Sequence, residues 1–317
     1  MESLIYNNGD RMPTCGLGTW KSAPHEAYEA VLEAIRIGYR HIDCAHIYKN
    51  EEEIGEAFAK AFGDGMVKRE EMFITSKLWN DSHERDEVLP ALNQTLKNLQ
   101  LEYLDLYLVH WPVALKKGMD FPSHPEDFLS PEQAPLADTW KAMEENVDRG
   151  LVRHIGVSNF NTTKLAEILE MARIKPEMNQ VEMHPFLPQT RLLQFCKDNG
   201  IYVTAYAPLG SAYRVDNGEV DFPILLEDLH MREIAAKHNA TPAQVAIRWG
   251  IQRGTVVIPK TVKKERLLEN FGATQLLLDQ EDMERINSLV GPFRYTTGLA
   301  WTMKGSPYVQ EDLWEAN

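Results

Sequence analysis

Cysteine is scarce in this sequence of 317 residues, which contains only Cys15, Cys44 and Cys196. An odd number of widely spaced cysteines argues against a disulfide framework and against a zinc motif. Reduced thiols favour a reducing compartment, so we expect a cytoplasmic protein. The N-terminus lacks the basic start and apolar core of a signal peptide, and no apolar run is long enough to predict a membrane helix.

Basic residues are also fewer than acidic residues. Lys and Arg together number 33 against 47 Asp and Glu, which gives a formal net charge of −14. Nucleic acids and anionic membranes are bound by basic surfaces, so neither is expected as a partner. A phosphate-bearing small molecule would have to bind at a local cluster of cations.

Short apolar runs alternate with amphipathic segments along most of the chain. Residues 86–99 and 136–149 carry apolar side chains at steps of three and four, which predicts helices. Thr241 and Pro242 predict the N-cap and first residue of another helix. The apolar runs, typical of buried parallel strands, cover residues 14–18, 39–43, 72–77, 104–110, 153–159, 178–182, 201–207 and 255–260. Eight such alternations predict an α/β fold, a (β/α)₈ TIM barrel, with residues 1–317 as one domain.

The length beyond a minimal barrel falls in three segments. Residues 4–13 predict an N-terminal β-hairpin with an Asn-Gly turn at the barrel floor. Residues 111–135 predict a long Pro-rich loop, and residues 291–317 a C-terminal substrate loop that includes Tyr295, Trp301, Tyr308 and Trp314. An open doubly wound sheet is the alternative fold, but it requires a Gly-rich phosphate loop. Gly16 and Gly18 are present and the third glycine of that loop is missing.

Polar residues follow the predicted strands where those strands end. Asp43 ends the second run, Lys77 the third and His110 the fourth, while Tyr48 lies in the loop after the second. In a barrel these ends share one rim, which carries the active site. A lysine held by a carboxylate beside a tyrosine favours the phenolate, and a neutral imidazole can donate to a substrate oxygen. Together the four groups, which we term the strand-end cluster, suit proton donation to a carbonyl oxygen.

A metal site is the competing interpretation of the histidines. His41, His46 and His110 are conceivable ligands, but no H-E-x-x-H motif or Cys/His pairing is present. His41 lies inside a predicted strand, and Lys77 in the same mouth would repel a cation. We therefore expect no metal, and a hydride for carbonyl reduction must come from an organic cofactor.

Long ordered motifs carry a resemblance to a known family. They are GLGTWKS, YRHIDCAHIYKNEEEIGEA, FITSKLW, LDLYLVHWP, LVRHIGVSNF, NQVEMHPFLPQ and IPKTVKKERLLEN. With these motifs the chain resembles the aldo-keto reductase superfamily over nearly its whole length, with aldose reductases and aldose-6-phosphate reductases (mannose-6-phosphate or sorbitol-6-phosphate type) as the most similar members. The resemblance implies an oxidoreductase of carbohydrate metabolism that reduces aldehydes or aldoses with NADP(H), with NAD(H) as a weaker cofactor.

The resemblance also implies roles for individual residues. Tyr48 would donate the proton, Lys77 would lower the pKa of Tyr48, Asp43 would pair with Lys77, and His110 would orient the carbonyl. The cofactor would contact Gly18, Thr19, Trp20, Ser158, Asn159, Gln180, Tyr206, Leu209, Ser211, Asp216, Lys260, Thr261, Val262, Arg266, Glu269 and Asn270. Among these, Tyr206 would stack on the nicotinamide, and Lys260, Thr261 and Arg266 would hold the 2′-phosphate. The substrate would contact Trp20, Lys49, Trp79, Trp111, Phe121 and Trp301.

Several alternatives stay open at this level. The substrate is a free aldose, a sugar phosphate held by a lysine such as Lys49, or a general aldehyde. A barrel that binds NADPH as a regulatory or auxiliary subunit is a second function, and a crystallin-like structural role is a third. The expected assembly is a monomer or a homodimer.

Overall fold

The N-terminal segment forms the predicted hairpin. The computed structural model describes residues 2–211, 214, 218, 221–289 and 291–315. Strand β1 (Ser3–Ile5) pairs antiparallel with β2 (Arg11–Pro13), and Gly9 in the turn has φ +90°. The Tyr6 ring in this hairpin stacks on His154 with 3.8 Å between ring centroids.

Eight parallel strands form the barrel, in the order in which they occur along the chain. They are β3 (Leu17–Gly18), β4 (His41–Asp43), β5 (Phe73–Leu78), β6 (Leu104–Val109), β9 (Val152–Ser158), β10 (Met178–Glu182), β11 (Tyr202–Tyr206) and β12 (Val256–Val257). Parallel bridges between Cys15 and Val257 and between Gly18 and Lys260 join the first strand region to the last. The predicted (β/α)₈ barrel is confirmed, and each predicted apolar run overlaps one of its strands.

Helices surround the strands. Their bounds are α1 (Glu26–Ile37), α2 (Glu51–Gly63), α3 (Arg85–Leu99), α4 (Leu136–Asp148), α5 (Thr162–Met171), α6 (Thr190–Asp198), α7 (Leu229–Lys237), α8 (Pro242–Gln252), α9 (Lys264–Gly272), α10 (Gln280–Asn287) and α11 (Gln310–Leu313). Helix α8 begins at Pro242 as predicted, and the Thr241 side chain accepts from the Gln244 amide. Among the described residues, no helix is long and apolar enough to cross a membrane.

The predicted loop over residues 111–135 contains a short strand pair that the sequence did not indicate. Strands β7 (Ala114–Leu115) and β8 (Phe128–Leu129) pair antiparallel within it. A two-residue strand is too short to show an alternation of apolar and polar residues. The sequence therefore gave no indication of either strand. The tail fastens this pair, because the Tyr308 hydroxyl accepts from the Ala114 amide and donates to the Leu129 carbonyl.

Candidate active site

The strand-end cluster converges at the C-terminal rim of the barrel. Asp43 ends β4, Lys77 lies near the end of β5, and His110 follows β6. Tyr48 ends a short 3₁₀ turn, residues His46–Tyr48, which follows β4. Lys77 Nζ lies 2.6 Å from Asp43 Oδ2 and 3.3 Å from the Tyr48 hydroxyl. The structure thus brings all four predicted residues to one place.

Lys77 is wholly buried and remains a cation. Burial lowers the pKa of Lys77, but the Asp43 carboxylate and the Tyr48 hydroxyl raise it by more. Nζ also donates to the Cys44 carbonyl at 2.9 Å, so its three protons have three acceptors. Sequence reasoning missed this carbonyl, since a backbone acceptor leaves no mark in a sequence.

The surroundings of Tyr48 shift its pKa in opposite directions. The half-buried phenol has a pKa raised to about 12, because burial penalises the phenolate more than the neighbouring Lys77 cation favours it. Lys77 does act in the predicted direction, but it offsets only part of the burial. Tyr48 is therefore a protonated acid at neutral pH.

His110 is neutral at neutral pH. Its pKa lies well below the usual value because of burial first and the nearby Lys77 and His83 second. The imidazole packs edge-on against Trp79, with 5.0 Å between centroids, and against Tyr48 at 5.9 Å. Nδ1 is buried without a hydrogen-bond partner. A neutral ring in this position is suited to donate a hydrogen bond without carrying charge.

Three amide and hydroxyl side chains lie beside the cluster. Gln180 Nε2 donates to Asp43 Oδ1 at 2.7 Å, and Ser158 Oγ donates to the Gln180 carbonyl at 2.8 Å. Asn159, in the left-handed region at φ +64°, donates to the His110 carbonyl at 3.0 Å and accepts from the Tyr206 hydroxyl at 2.8 Å. These predicted cofactor contacts and the strand-end cluster therefore form one hydrogen-bonded network.

The barrel seam adds the predicted contacts from the first strand. Gly18 lies so close to β12 that a Cβ atom there would meet the Ile258 carbonyl at 2.8 Å. Thr19 Oγ1 donates to the Asp43 carbonyl at 2.7 Å. Trp20 is 41% exposed, and its ring lies 4.8 Å from that of Tyr48. The first strand thus brings these three residues beside Asp43 and Tyr48.

The predicted phosphate segment lies after β12. Lys260 Nζ donates to the Lys21 carbonyl at 3.0 Å across the seam, and the Thr261 hydroxyl accepts from the Lys263 amide. Helix α9 begins at Lys264 without a side-chain cap, so its first amides are open to an anion. Arg266 is exposed on this helix.

The remaining predicted cofactor residues have mixed surroundings. Glu269 accepts a hydrogen bond of 2.6 Å from the Thr241 hydroxyl, and Asn270 is buried while Val262 is half-buried. Leu209 and Ser211 are half-buried in the segment after β11. Asp216 lies outside the described residues.

Aromatic rings build the predicted substrate wall. Trp301 from the tail lies 5.8 Å from Trp79, 5.5 Å from Trp111 and 5.7 Å from Phe121. Trp79 Nε1 donates to the Met119 and Asp120 carbonyls. The tail residue Trp314 also contacts Trp111, a neighbour that the sequence gave no reason to select.

Lys49 is the one cation in the predicted substrate set. Its Nζ lies 2.8 Å from Asp120 Oδ1, and both side chains are more than half exposed. The ion pair joins the turn that holds Tyr48 to the loop that holds Phe121. In the part of the chain that the structure describes, no group of three or more His, Cys, Asp or Glu side chains is arranged to hold a metal ion.

Comparisons with known proteins give a consistent result. The Aldo/keto reductase family profile matches residues 14–290. The chain is 50% identical to an aldo/keto reductase of Synechocystis sp. over 316 residues, 99% of this chain and 97% of that protein. It is 45% identical to aldo-keto reductase family 1 member A1 of Homo sapiens, over 92% of this chain and 90% of the other. The structure of the aldose reductase from Schistosoma japonicum superposes with a TM-score of 0.87, at 46% identity over 95% of this chain and 96% of the other.

The barrel and its rim thus define an oxidoreductase of the carbonyl-reducing class, which uses a nicotinamide cofactor. The chain belongs to the aldo/keto reductase family.

Proposed function

We propose that this protein reduces the carbonyl of an aldehyde or aldose to the alcohol with NADPH, and that Tyr48 donates the proton. The observation that carries the proposal is the hydrogen-bonded chain from the half-buried Tyr48 through the buried Lys77 to Asp43, with distances of 3.3 and 2.6 Å. These hydrogen bonds place a protonated phenol and a fixed cation at the mouth of the barrel. Such a pair stabilises the negative charge that develops on a carbonyl oxygen.

The residues act on the substrate oxygen in a defined way. The Tyr48 hydroxyl and the neutral His110 ring donate hydrogen bonds to the carbonyl oxygen and orient it. As charge develops, the Tyr48 proton passes to that oxygen, and the Lys77 ammonium stabilises the phenolate that remains. Asp43 holds Lys77 in place, and Trp79 packs against His110 and fixes the ring.

The cofactor chemistry fits the residues of this chain. NADPH, when bound, supplies the hydride that no side chain can supply. Ser158, Asn159 and Gln180 offer the amide and hydroxyl groups that suit a carboxamide, and Tyr206 offers an aromatic ring beside them. Lys260 and Arg266, beside the uncapped start of α9, suit the 2′-phosphate. NADH lacks that phosphate, so we propose that it binds more weakly.

We propose an uncharged aldehyde or aldose as the substrate, ahead of a sugar phosphate. Lys49, the lysine nearest Tyr48 in sequence, is paired with Asp120, and Lys117 lies 3.0 Å from Glu87. A phosphate would have to displace these carboxylates to bind either lysine. The rings of Trp79, Trp111 and Trp301 suit apolar aldehydes and the faces of sugars. Two of the relatives are named as an aldose reductase and as aldo-keto reductase family 1 member A1. Those names accord with an aldehyde or aldose as the substrate.

The test follows NADPH oxidation by purified protein with matched substrates. Xylose and a simple aromatic aldehyde are compared with mannose 6-phosphate and glucose 6-phosphate by kcat/KM. Higher values for the uncharged compounds support the proposal, and higher values for the phosphates assign the sugar-phosphate alternative. The Tyr48→Phe variant should lose turnover by about 10²-fold or more and keep NADPH affinity. Turnover retained in that variant would remove Tyr48 as the acid.

The same experiment decides the second function. NADPH binding without turnover of any aldehyde would make the protein a regulatory or auxiliary barrel. A single domain, a cytoplasmic location and a monomer or homodimer stay predictions. The free, buried state of all three cysteines supports the location in a reducing compartment.

A further inference from the structure

Glu182 ends strand β10 with a wholly buried side chain that takes no part in the proposed proton transfer. Its carboxylate accepts hydrogen bonds from the amides of Tyr295 at 2.7 Å and Thr296 at 2.6 Å, and lies 3.0 Å from His184 Nε2. Burial raises the pKa of Glu182, but these hydrogen bonds lower it by more. An ionised carboxylate inside a protein is costly unless it is fully paired. Glu182 therefore fastens the start of the tail to the barrel.

The fastened segment contacts the chain that follows β11. The Tyr295 hydroxyl donates to the Pro223 carbonyl at 3.2 Å. Gly210 packs so close that a Cβ atom there would lie 3.2 Å from the same hydroxyl, and the Phe222 ring lies 5.6 Å from that of Tyr295. Tyr295 thus contacts Gly210, which lies between the predicted cofactor residues Leu209 and Ser211, and also Phe222 and Pro223 further along the chain.

The same tail continues into the substrate wall. Trp301 lies five positions after Thr296 and packs between Trp79 and Phe121. Between them, the Thr297 carbonyl accepts from Trp314 Nε1 at 2.7 Å. A shift of the backbone at Thr296 would therefore move the wall as well as the contact with Gly210.

We infer that Glu182 is a positioning residue which, through the amides of Tyr295 and Thr296, sets cofactor retention and the shape of the substrate pocket together. The inference rests on the proposed function for the identity of the cofactor and the substrate. It goes beyond that function, because one carboxylate outside the reaction links the two binding events.

The test compares Glu182→Gln with Tyr295→Phe. The glutamine keeps the shape but offers one acceptor oxygen to two amides, so one amide loses its partner. We expect NADPH release and the KM for an aromatic aldehyde each to rise about tenfold, which corresponds to the loss of one charge-assisted hydrogen bond. The single-turnover rate at saturation and its pH profile should match the wild type. Tyr295→Phe loses the hydroxyl bonds to the Pro223 carbonyl and to the Ser211 backbone and keeps both bonds to Glu182, so it should speed NADPH release and leave the aldehyde KM unchanged.

Asp105→Asn is the matched control. Asp105 is a buried carboxylate at the opposite end of the barrel, where it accepts from the Ile74 amide and from Arg69. This variant should lower the Tm and leave both binding constants unchanged. If Glu182→Gln lowers the Tm in the same way and leaves NADPH release and KM at wild-type values, Glu182 is only structural and the inference is wrong. If the wild type binds NADPH without turnover, the proposed function fails, and the NADPH release rate of Glu182→Gln alone decides the inference.

Discussion

The ammonium of Lys77 lies 2.6 Å from the carboxylate of Asp43, and both side chains are almost completely buried. The second oxygen of the same carboxylate accepts from Gln180. Asp43 therefore joins the group that stabilises the phenolate of Tyr48 to a residue proposed to hold the nicotinamide. In the proposed mechanism, one side chain therefore positions both the proton donor and the hydride donor.

Replacing Asp43 with Asn should affect both stability and rate. The buried Lys77 would lose its counter-charge, and removal of one partner of a buried pair costs about 3–5 kcal/mol. We expect the free energy of unfolding, measured by urea denaturation, to fall by that amount. We also expect kcat to fall by about 10²-fold or more. The exposed pair of Lys49 with Asp120 supplies the control, since Asp120→Asn should change stability by less than about 1 kcal/mol. Equal losses in the two variants would contradict the role given to Asp43.

The pH profile of reduction should be flat across the neutral range. Tyr48 must be protonated, and its pKa of about 12 means that activity is lost only as the pH rises into the strongly alkaline range. His110 must be neutral, and its lowered pKa moves protonation of the ring to acid pH. Measurement of kcat/KM across the pH range checks both directions. A decline centred at the ordinary histidine value of 6.5 would show that His110 titrates normally.

Cofactor preference should depend on the basic segment after β12. The double variant Lys260→Met with Arg266→Met should weaken NADPH binding by about 10²- to 10⁴-fold, because the two charge-assisted hydrogen bonds proposed to hold the 2′-phosphate are lost. NADH affinity should stay unchanged, as measured by fluorescence titration. Lys264→Met is the control. Lys264 lies on helix α9 together with Arg266, but it is paired with Glu33 at 2.8 Å. An equal loss for NADH would remove the 2′-phosphate role.

Selectivity for substrate charge should depend on Asp120. Asp120→Asn removes a carboxylate from the mouth and leaves Lys49 as a cation without its counter-charge. We expect kcat/KM for mannose 6-phosphate to rise about threefold to tenfold relative to xylose, and the gain to shrink at high salt. Asp64→Asn, which breaks the similarly exposed pair with Lys60 at 2.8 Å, should leave that ratio unchanged. No change with Asp120→Asn would show that the ion pair does not select substrate charge.

The sequence predicts the barrel well because its signals are local. Each strand is a short apolar run, and polar residues at the ends of parallel strands share a rim, so Asp43, Lys77 and His110 could be placed together in advance. Contacts between distant segments leave no such signal. The bonds from Gln180 to Asp43 and from the tail to Glu182 join residues more than 100 positions apart. The acidity of Tyr48 depends on how deeply the folded chain buries it, and no spacing in the sequence reports that depth.

The seam of the barrel sets the order in which the binding site forms. Gly18 pairs with Lys260, and the Lys260 ammonium reaches the Lys21 carbonyl on the first strand's side. The predicted cofactor contacts of this edge are thus contributed by segments about 240 residues apart, and neither half of the chain contains them alone. During synthesis, the proposed cofactor groove stays incomplete until the eighth strand has docked against the first. NADPH would then bind only after the eight-stranded barrel has closed. The ligand would therefore stabilise the closed barrel relative to every partly folded form.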